Sequence, residues 1–216
     1  MTFAVTNLGG IAVRVHISAL VAFLALLLVL GSAYFPSLLP RERDLTYWAI
    51  GFLSTLALFL STLAREFGHS LVARARGVPV ESITLVLFGG SSDIRQEREK
   101  PVDEMLIAVA GPGVSLAIAL IAAAARFGLP NPSQPLLLFL ETVLLLNIWL
   151  GLFNLLPTLP LDGGRALRGV VWHWIGDYRR ATHVASLVGR GLAGLVLVAG
   201  VALLILSLDR DRKSVV

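Results

Sequence analysis

Long apolar stretches constrain the fold of this chain more than any other feature. If about 20 apolar residues make one helical crossing of a bilayer, spans are predicted at about 17–34, 45–76, 103–126, 135–156, 163–176 and 183–208. Of the 216 residues, 56% are hydrophobic and 15% are charged, whereas soluble domains carry about 25% charged residues. Too few polar side chains exist to cover a soluble fold of this size. We therefore expect an all-α polytopic membrane protein with about six transmembrane helices.

The segment at about 80–95 has a different pattern from the spans. It is rich in Ile, Leu, Val and Thr, is interrupted by Gly89 and Gly90, and is followed by a charged run at 95–100. This pattern predicts two short strands around a glycine turn, which would form a small membrane-associated β-hairpin. Because strand backbone cannot face lipid unpaired, the hairpin must pack against protein or line a cavity.

Basic residues orient the predicted bundle. The loop after the second span carries more Lys and Arg than the loop before it, which places the later loop in the cytoplasm. Six crossings would leave both termini in the cytoplasm. Residues 1–208 would form one transmembrane domain, followed by a short polar tail at 209–216 and no C-terminal regulatory domain. A cleaved signal peptide is the alternative for the first span, but its charged n-region holds only Arg14.

Charge and cysteine content exclude other classes of protein. The formal net charge is +4, but no stripe of Lys and Arg interleaved with aromatic residues is present, so a nucleic-acid partner is not expected. Cysteine is absent, which excludes disulfides and sites built on a thiolate. The lipid bilayer is the partner that the composition does predict.

Polar residues continue the second predicted span, with the sequence REFGH at 65–69. Such residues are costly in hydrocarbon and normally face a protein interior or a wet cavity. Glu66 and His69 match the zinc-protease pattern H-E-x-x-H, in which two His bind zinc and the Glu acts as base, and Arg65 does not match it. A Glu and a His three residues apart also occur as ordinary surface pairs on helices.

A second polar segment lies at 154–165, with the sequence NLLPTLPLDGGR. Its two prolines and two glycines break the helix and place Asp162 on irregular backbone at the edge of the membrane. Asp162 could simply cap the next helix. A carboxylate in a membrane-buried turn is also a candidate zinc ligand, and the two interpretations are compatible.

Together these motifs resemble the site-2 protease family of intramembrane zinc metalloproteases over nearly the whole chain. The matching signatures are, in order, RVH at 14–16, EFGHSLVA at 66–73, ITLVLFGG at 83–90, AGP at 110–112 and the segment 154–165. The resemblance implies a prokaryotic cell-membrane protein that binds zinc. His69 and Asp162 would be metal ligands, and Glu66 would be the general base.

The resemblance also implies a transmembrane protein as the substrate. A helical substrate hides its carbonyl groups, so it must unwind before it can be cleaved, and the hairpin edge could bind the unwound segment as an added strand. On this basis we expect the substrate to contact Asn154, Gly89, Gly90 and Gly163.

Arg65 departs from the family pattern, because it stands where the first zinc-binding His is expected. A guanidinium stays protonated and has no lone pair to offer a metal. We expect Arg65 to occupy the metal space as an internal cation that pairs with Asp162 or Glu66. The remaining histidines are expected to be interfacial residues rather than replacement ligands: His16, His173 and His183.

Three functions fit these features. The first is an intramembrane zinc metalloprotease that cleaves peptide bonds in or near transmembrane segments. The second is a catalytically dead pseudoprotease that binds single-span membrane proteins through the same hairpin and cavity. The third is a small transporter, since polar residues among spans also mark ion paths. A transporter would explain Glu66 and Asp162 but not their match to a zinc motif.

Overall fold

A computed structural model describes the backbone of residues 1–86, 89–94 and 100–214, and the side chains of residues 1–86 and 100–207. The elements in chain order are β1 (Thr2–Leu8), β2 (Ile11–His16), α1 (Ile17–Val29), α2 (Phe35–Leu38), α3 (Asp44–Ala75), β3 (Val80–Val86), β4 (Gly89–Ile94), α4 (Pro101–Gly128), α5 (Gln134–Asn154), α6 (Asp162–Ile175) and α7 (Tyr178–Ser214). A π-helical segment, Leu30–Tyr34, joins α1 to α2.

Helices that are long and apolar enough to cross a membrane dominate the described part of the chain. There are five: Ile17–Leu38, Asp44–Ala75, Pro101–Gly128, Gln134–Asn154 and Tyr178–Ser207. The predicted class, a mostly helical integral membrane protein, is confirmed. The predicted span at 163–176 corresponds to α6, whose 14 residues rise only about 21 Å, short of the roughly 30 Å of a bilayer core. Helix α7 continues through the predicted tail to Ser214.

A four-stranded sheet lies beside the end of α3, in the order β1-β2-β3-β4. The β1–β2 and β3–β4 pairs are antiparallel, whereas β2 and β3 are parallel. The predicted hairpin corresponds to β3 and β4, but β1 and β2 were not predicted. The expected glycine turn is wrong, because Gly89 and Gly90 pair with Val86 and Leu85 as part of strand β4. The two residues between the strands, 87 and 88, lie outside the described residues.

A buried apolar cluster fixes the sheet to the helices. Its members come from β2, β3, the end of α3 and the start of α4: Ile11, Ala73, Val78, Val80, Ile83 and Ile107. Arg74 of α3 adds polar contacts, since Nη2 donates to the carbonyl oxygens of Gly10 at 2.9 Å and Val80 at 3.2 Å. The sheet is therefore attached to the end of α3 that carries REFGH.

Close contacts along α4 show how the other helices run. Three glycines mark these approaches: Gly68 of α3 against Ala110, Gly151 of α5 against Leu116, and Gly169 of α6 against Met105. Helix α5 therefore packs on the middle of α4, and α6 packs on its first turns. The chain therefore moves toward the N-terminal end of α4 from α5 to α6, on either side of the turn at 155–161.

Candidate functional site

Four charged or titratable side chains from distant parts of the chain meet inside this bundle. Helix α3 places Arg65, Glu66 and His69 on neighbouring faces, and the start of α6 brings Asp162 to them. All four are almost completely buried, with exposed fractions of 7%, 3%, 3% and 6% in that order. Burial of this kind requires that the charges be paired.

Arg65 lies at the centre of the group, which we call the Arg65 cluster. Its Nη1 donates to Glu66 Oε1 at 2.9 Å. Its Nη2 donates to Asp162 Oδ2 at 2.5 Å and to Asn154 Oδ1 at 3.1 Å. The guanidinium thus bridges two carboxylates and one amide, as its planar fork of donors allows. The pairing expected from the sequence is present, and it involves both carboxylates rather than one.

His69 is held by a backbone carbonyl of α4. Its Nδ1 lies 2.7 Å from the oxygen of Ile107, and because a carbonyl only accepts, Nδ1 carries the proton. Nε2 then faces Asp162 Oδ2 at 3.3 Å but makes no hydrogen bond within the described residues. His69 therefore presents its second ring nitrogen to the Asp162 carboxylate.

Gly111 makes room for the His69 ring, a role that sequence reasoning missed. A Cβ added to Gly111 would collide with His69 Nε2, so only glycine fits at this position of α4. The AGP motif at 110–112 is one of the signatures of the family resemblance. Its contact with α3, more than thirty residues away in the chain, is visible only in the fold.

The turn before Asp162 is compact because of the glycines that follow it. A Cβ on Gly163 would collide with the carbonyl oxygen of Leu155, and one on Gly164 with backbone atoms of Thr158. Asp162 does not cap α6, because Leu161 occupies the N-cap position. The capping interpretation is therefore wrong, and the Asp162 carboxylate pairs with Arg65 instead.

The residues predicted to contact a substrate fall into two groups. Asn154 belongs to the Arg65 cluster through its Oδ1, while its Nδ2 donates to the oxygen of Leu150 at 2.7 Å. Gly163 is buried in the first turn of α6. Gly89 and Gly90 lie in β4, at one edge of the sheet. The structure brings the first two to the cluster, and the substrate-binding role of all four stays a prediction.

The residues present do not fit a zinc ion. A catalytic zinc site has three protein ligands and one open position, but His69 and Asp162 supply only two. In the part of the chain that the structure describes, no three His, Asp or Glu side chains are grouped to hold a metal. Arg65 is a permanent cation, and its 2.5 Å contact with Asp162 places positive charge where a metal would have to bind. Glu66 is paired with the same guanidinium.

Comparison with known proteins agrees with the fold and the arrangement of the motifs. The chain matches the model of "Peptidase family M50" over residues 53–132 and 129–198. It also matches the solved structure of the site-2 protease from Methanocaldococcus jannaschii, with 30% identity and a TM-score of 0.62, covering 94% of this chain and 87% of that one. The fold is that of an intramembrane metalloprotease. The chain belongs to peptidase family M50, the site-2 protease family.

Two curated relatives carry the provisional name of zinc metalloprotease. One is sll0528 of Synechocystis, 41% identical over 163 residues, which are 74% of this chain and 42% of the relative. The other is Rip3 of Mycobacterium tuberculosis, 38% identical over 201 residues, which are 91% of this chain and 50% of the relative. The chain thus spans about half the length of these relatives. The resemblance to the site-2 protease family is confirmed, and zinc is characteristic of that family.

Proposed function

We propose that this chain binds transmembrane segments of single-span proteins without cleaving them, and that Arg65 replaces the zinc ion of the family as a fixed internal cation. One observation carries the proposal: a buried guanidinium bridges Glu66 and Asp162, the two carboxylates that resemblance to the family assigns to catalysis and metal binding. Hydrolysis in the family depends on zinc, which activates water and polarises a carbonyl group. Arg65 cannot activate water in this way, because a guanidinium has no coordination position for it. Its Nη groups already donate to Glu66, Asn154 and Asp162, so they are not available to polarise a carbonyl group.

The rest of the fold supports retained binding. Strand β4 is an edge strand of the sheet and begins with Gly89 and Gly90. Edge strands bind extended peptides through main-chain hydrogen bonds, and two glycines allow another backbone to approach closely. The partner is therefore a membrane segment that can unwind locally beside the Arg65 cluster.

The order in which α5 and α6 pack along α4 also supports a specific arrangement of the chain in the membrane. The basic loop after α3 supports a cytoplasmic location for the sheet. If α5 and α6 form one interrupted crossing, α7 starts on the cytoplasmic side and carries residue 207 to the opposite side. We propose this five-crossing arrangement in place of the expected arrangement with both termini in the cytoplasm.

A zinc metallopeptidase is the second candidate, and His69 favours it. Its buried Nε2 has no hydrogen bond within the described residues and faces Asp162, which is the arrangement expected of two remaining zinc ligands. The single change Arg65→His would supply the third ligand. It would also free Glu66 from its cationic partner.

Zinc content and peptide cleavage separate the two candidates. Wild-type protein, Arg65→His and the charge-conserving control Arg65→Lys would be purified in detergent, analysed for metal, and incubated in nanodiscs with a labelled single-span peptide. We expect about one zinc per chain and cleavage only in Arg65→His, with peptide binding by all three proteins. Stoichiometric zinc in the wild type would overturn the proposal in favour of the second candidate, and absence of peptide binding would overturn it altogether.

A further inference from the structure

Three polar side-chain atoms on three neighbouring helices have no hydrogen-bond partner in the part of the chain that the structure describes. They are Arg65 Nε on α3, Ser115 Oγ on α4 and Asn147 Oδ1 on α5. Ser115 and Asn147 are completely buried, and Arg65 is 7% exposed. Buried polar atoms are nearly always hydrogen-bonded to protein or to ordered water, because an unpaired one is costly. The three atoms therefore indicate a bound ligand if they lie close together.

The packing of α3 on α4 brings Ser115 opposite Arg65. These two helices are antiparallel, because the end of α3 is ion-paired to the first turn of α4, whereas His69, two turns earlier, packs on Gly111. Arg65 precedes His69 by one turn of α3, and Ser115 follows Gly111 by one turn of α4, so each pair shares a face of its helix. Ser115 therefore faces Arg65 in the same way as Gly111 faces His69.

Helix α5 brings Asn147 to the same part of the interior. Gly151, one turn after Asn147, packs closely on the middle of α4. Asn154, two turns after Asn147 on the same face of the helix, accepts a hydrogen bond from Arg65. Asn147 therefore faces the junction of α3 and α4, about one turn of helix beyond Ser115. Its Nδ2 already donates to a backbone oxygen of α5 at 2.9 Å, so Oδ1 is the atom left for a ligand.

The chemistry of the three atoms defines the ligand. Arg65 Nε can only donate a hydrogen bond, Asn147 Oδ1 can only accept one, and the Ser115 hydroxyl can do both. An anion would pair with Nε but would leave Asn147 Oδ1 without a donor, and a metal ion would be repelled by the guanidinium. A water molecule both accepts and donates, and a buried one typically makes about three hydrogen bonds. Complete burial of Ser115 and Asn147 also favours the smallest such ligand.

We propose that α3, α4 and α5 enclose an internal water site, in which one or two water molecules accept from Arg65 Nε, bind the Ser115 hydroxyl and donate to Asn147 Oδ1. The Nη atoms of Arg65 hold Glu66, Asn154 and Asp162, and the water holds the remaining donor. The site thus fixes the orientation of the guanidinium between its two carboxylates. It does not depend on the binding of a transmembrane segment.

The effect of Ser115→Ala on stability tests the site, because its direction depends on whether the hydroxyl is hydrogen-bonded. If the hydroxyl binds water, its removal should raise the unfolding equilibrium constant of the whole chain about fivefold in a denaturing-detergent titration. If the hydroxyl is unpaired, its removal should leave that constant unchanged or lower it, which would overturn the inference. Thr55→Val is the matched control. Its hydroxyl is also completely buried but donates to the oxygen of Gly51 at 2.8 Å, so we expect a change within about twofold.

Direct observation of the water keeps the inference falsifiable if a variant fails to fold. The wild-type chain would be crystallised in a lipidic mesophase at a resolution that shows ordered water. We expect density for water within hydrogen-bond distance of both Arg65 Nε and Ser115 Oγ. A protein oxygen in direct contact with Arg65 Nε, or the absence of density between the two atoms, would overturn the inference. Neither result bears on peptide binding or zinc content, so the proposed function is tested separately.

Discussion

Two arginines within the membrane part of this protein are in opposite environments. Arg65 is 7% exposed and donates to Glu66, Asn154 and Asp162. Arg190 is exposed beside a cavity and, among the residues described, has no partner. Arg65 neutralises charges of the fold itself, whereas Arg190 makes no such contact among the described residues. Stability should therefore depend on Arg65 and little on Arg190.

The largest effect is expected from Arg65→Met, which leaves two carboxylates buried without a cation. We expect the free energy of unfolding to fall by about 3–5 kcal/mol, as when one partner of a buried ion pair is removed. Unfolding in a titration with a denaturing detergent would measure it. Adding Asp162→Asn to Arg65→Met should recover part of the loss. A loss below about 1 kcal/mol in the single variant would show that the pairs do little to stabilise the fold.

Gly111→Ala should have the next largest effect on stability. It disturbs the space that holds the His69 ring and leaves the ion pairs of Arg65 in place. We expect a loss of about 1–3 kcal/mol, typical of overpacking in a core. In the Arg65→His background it should also abolish zinc binding. Gly113→Ala is the matched control, since nothing lies within 4 Å of a Cβ there, and it should be neutral or slightly stabilising. Equal effects of the two changes would contradict the close packing of the His69 ring against Gly111.

Arg190→Gln should have a small effect on stability and thus tests the other half of the comparison. Because no described contact is lost, we expect the free energy of unfolding to change by less than about 0.5 kcal/mol or to rise. The same detergent titration would measure it beside Arg65→Met. A loss comparable to that of Arg65→Met would mean that Arg190 is paired within the fold.

The smallest effect concerns a carboxylate in water rather than in the membrane. The backbone N–H of Arg180 donates to Asp177 Oδ1 at 2.9 Å, and this hydrogen bond holds the pKa of Asp177 below its usual range. A depressed pKa means that the contribution to stability is present above the unfolded-state value and is lost as the pH falls through the folded-state value. Asp177→Asn should therefore be slightly less stable than wild type at pH 7, and the difference should vanish as the pH falls through the folded-state pKa of Asp177. A difference that is independent of pH would contradict this.

The sequence indicated which side chains meet in the Arg65 cluster, but not which residues support them. Glu66, His69 and Asp162 were recognisable because short motifs specify residue type and spacing. The pairing of Arg65 was predictable because a buried positive charge needs a negatively charged partner. The contact of Gly111 with His69 joins two helices, and no local sequence pattern predicts it. Strands β1 and β2 were missed because two strands of 7 and 6 residues give little periodic signal beside long apolar spans.

The course of α5 and α6 past α4 could not be predicted for a related reason. Hydropathy assigns α5 and α6 to separate spans, because the turn at 155–161 interrupts the apolar run. Only the contacts of Gly151 and Gly169 with α4 show that the two helices lie end to end. The sequence alone does not distinguish a helix that is interrupted inside the membrane from one that ends at the membrane surface.

The parallel pairing of β2 with β3 has a consequence for how a partner could reach the interior. Residues 12–15 precede the first span and residues 82–85 follow the second, yet they are hydrogen-bonded neighbours. The sheet therefore straps α1 to α3 at one end. Separation of α1 from α3 at that end would break the hydrogen bonds between β2 and β3, whereas most of α7 beyond residue 190 is exposed along its length.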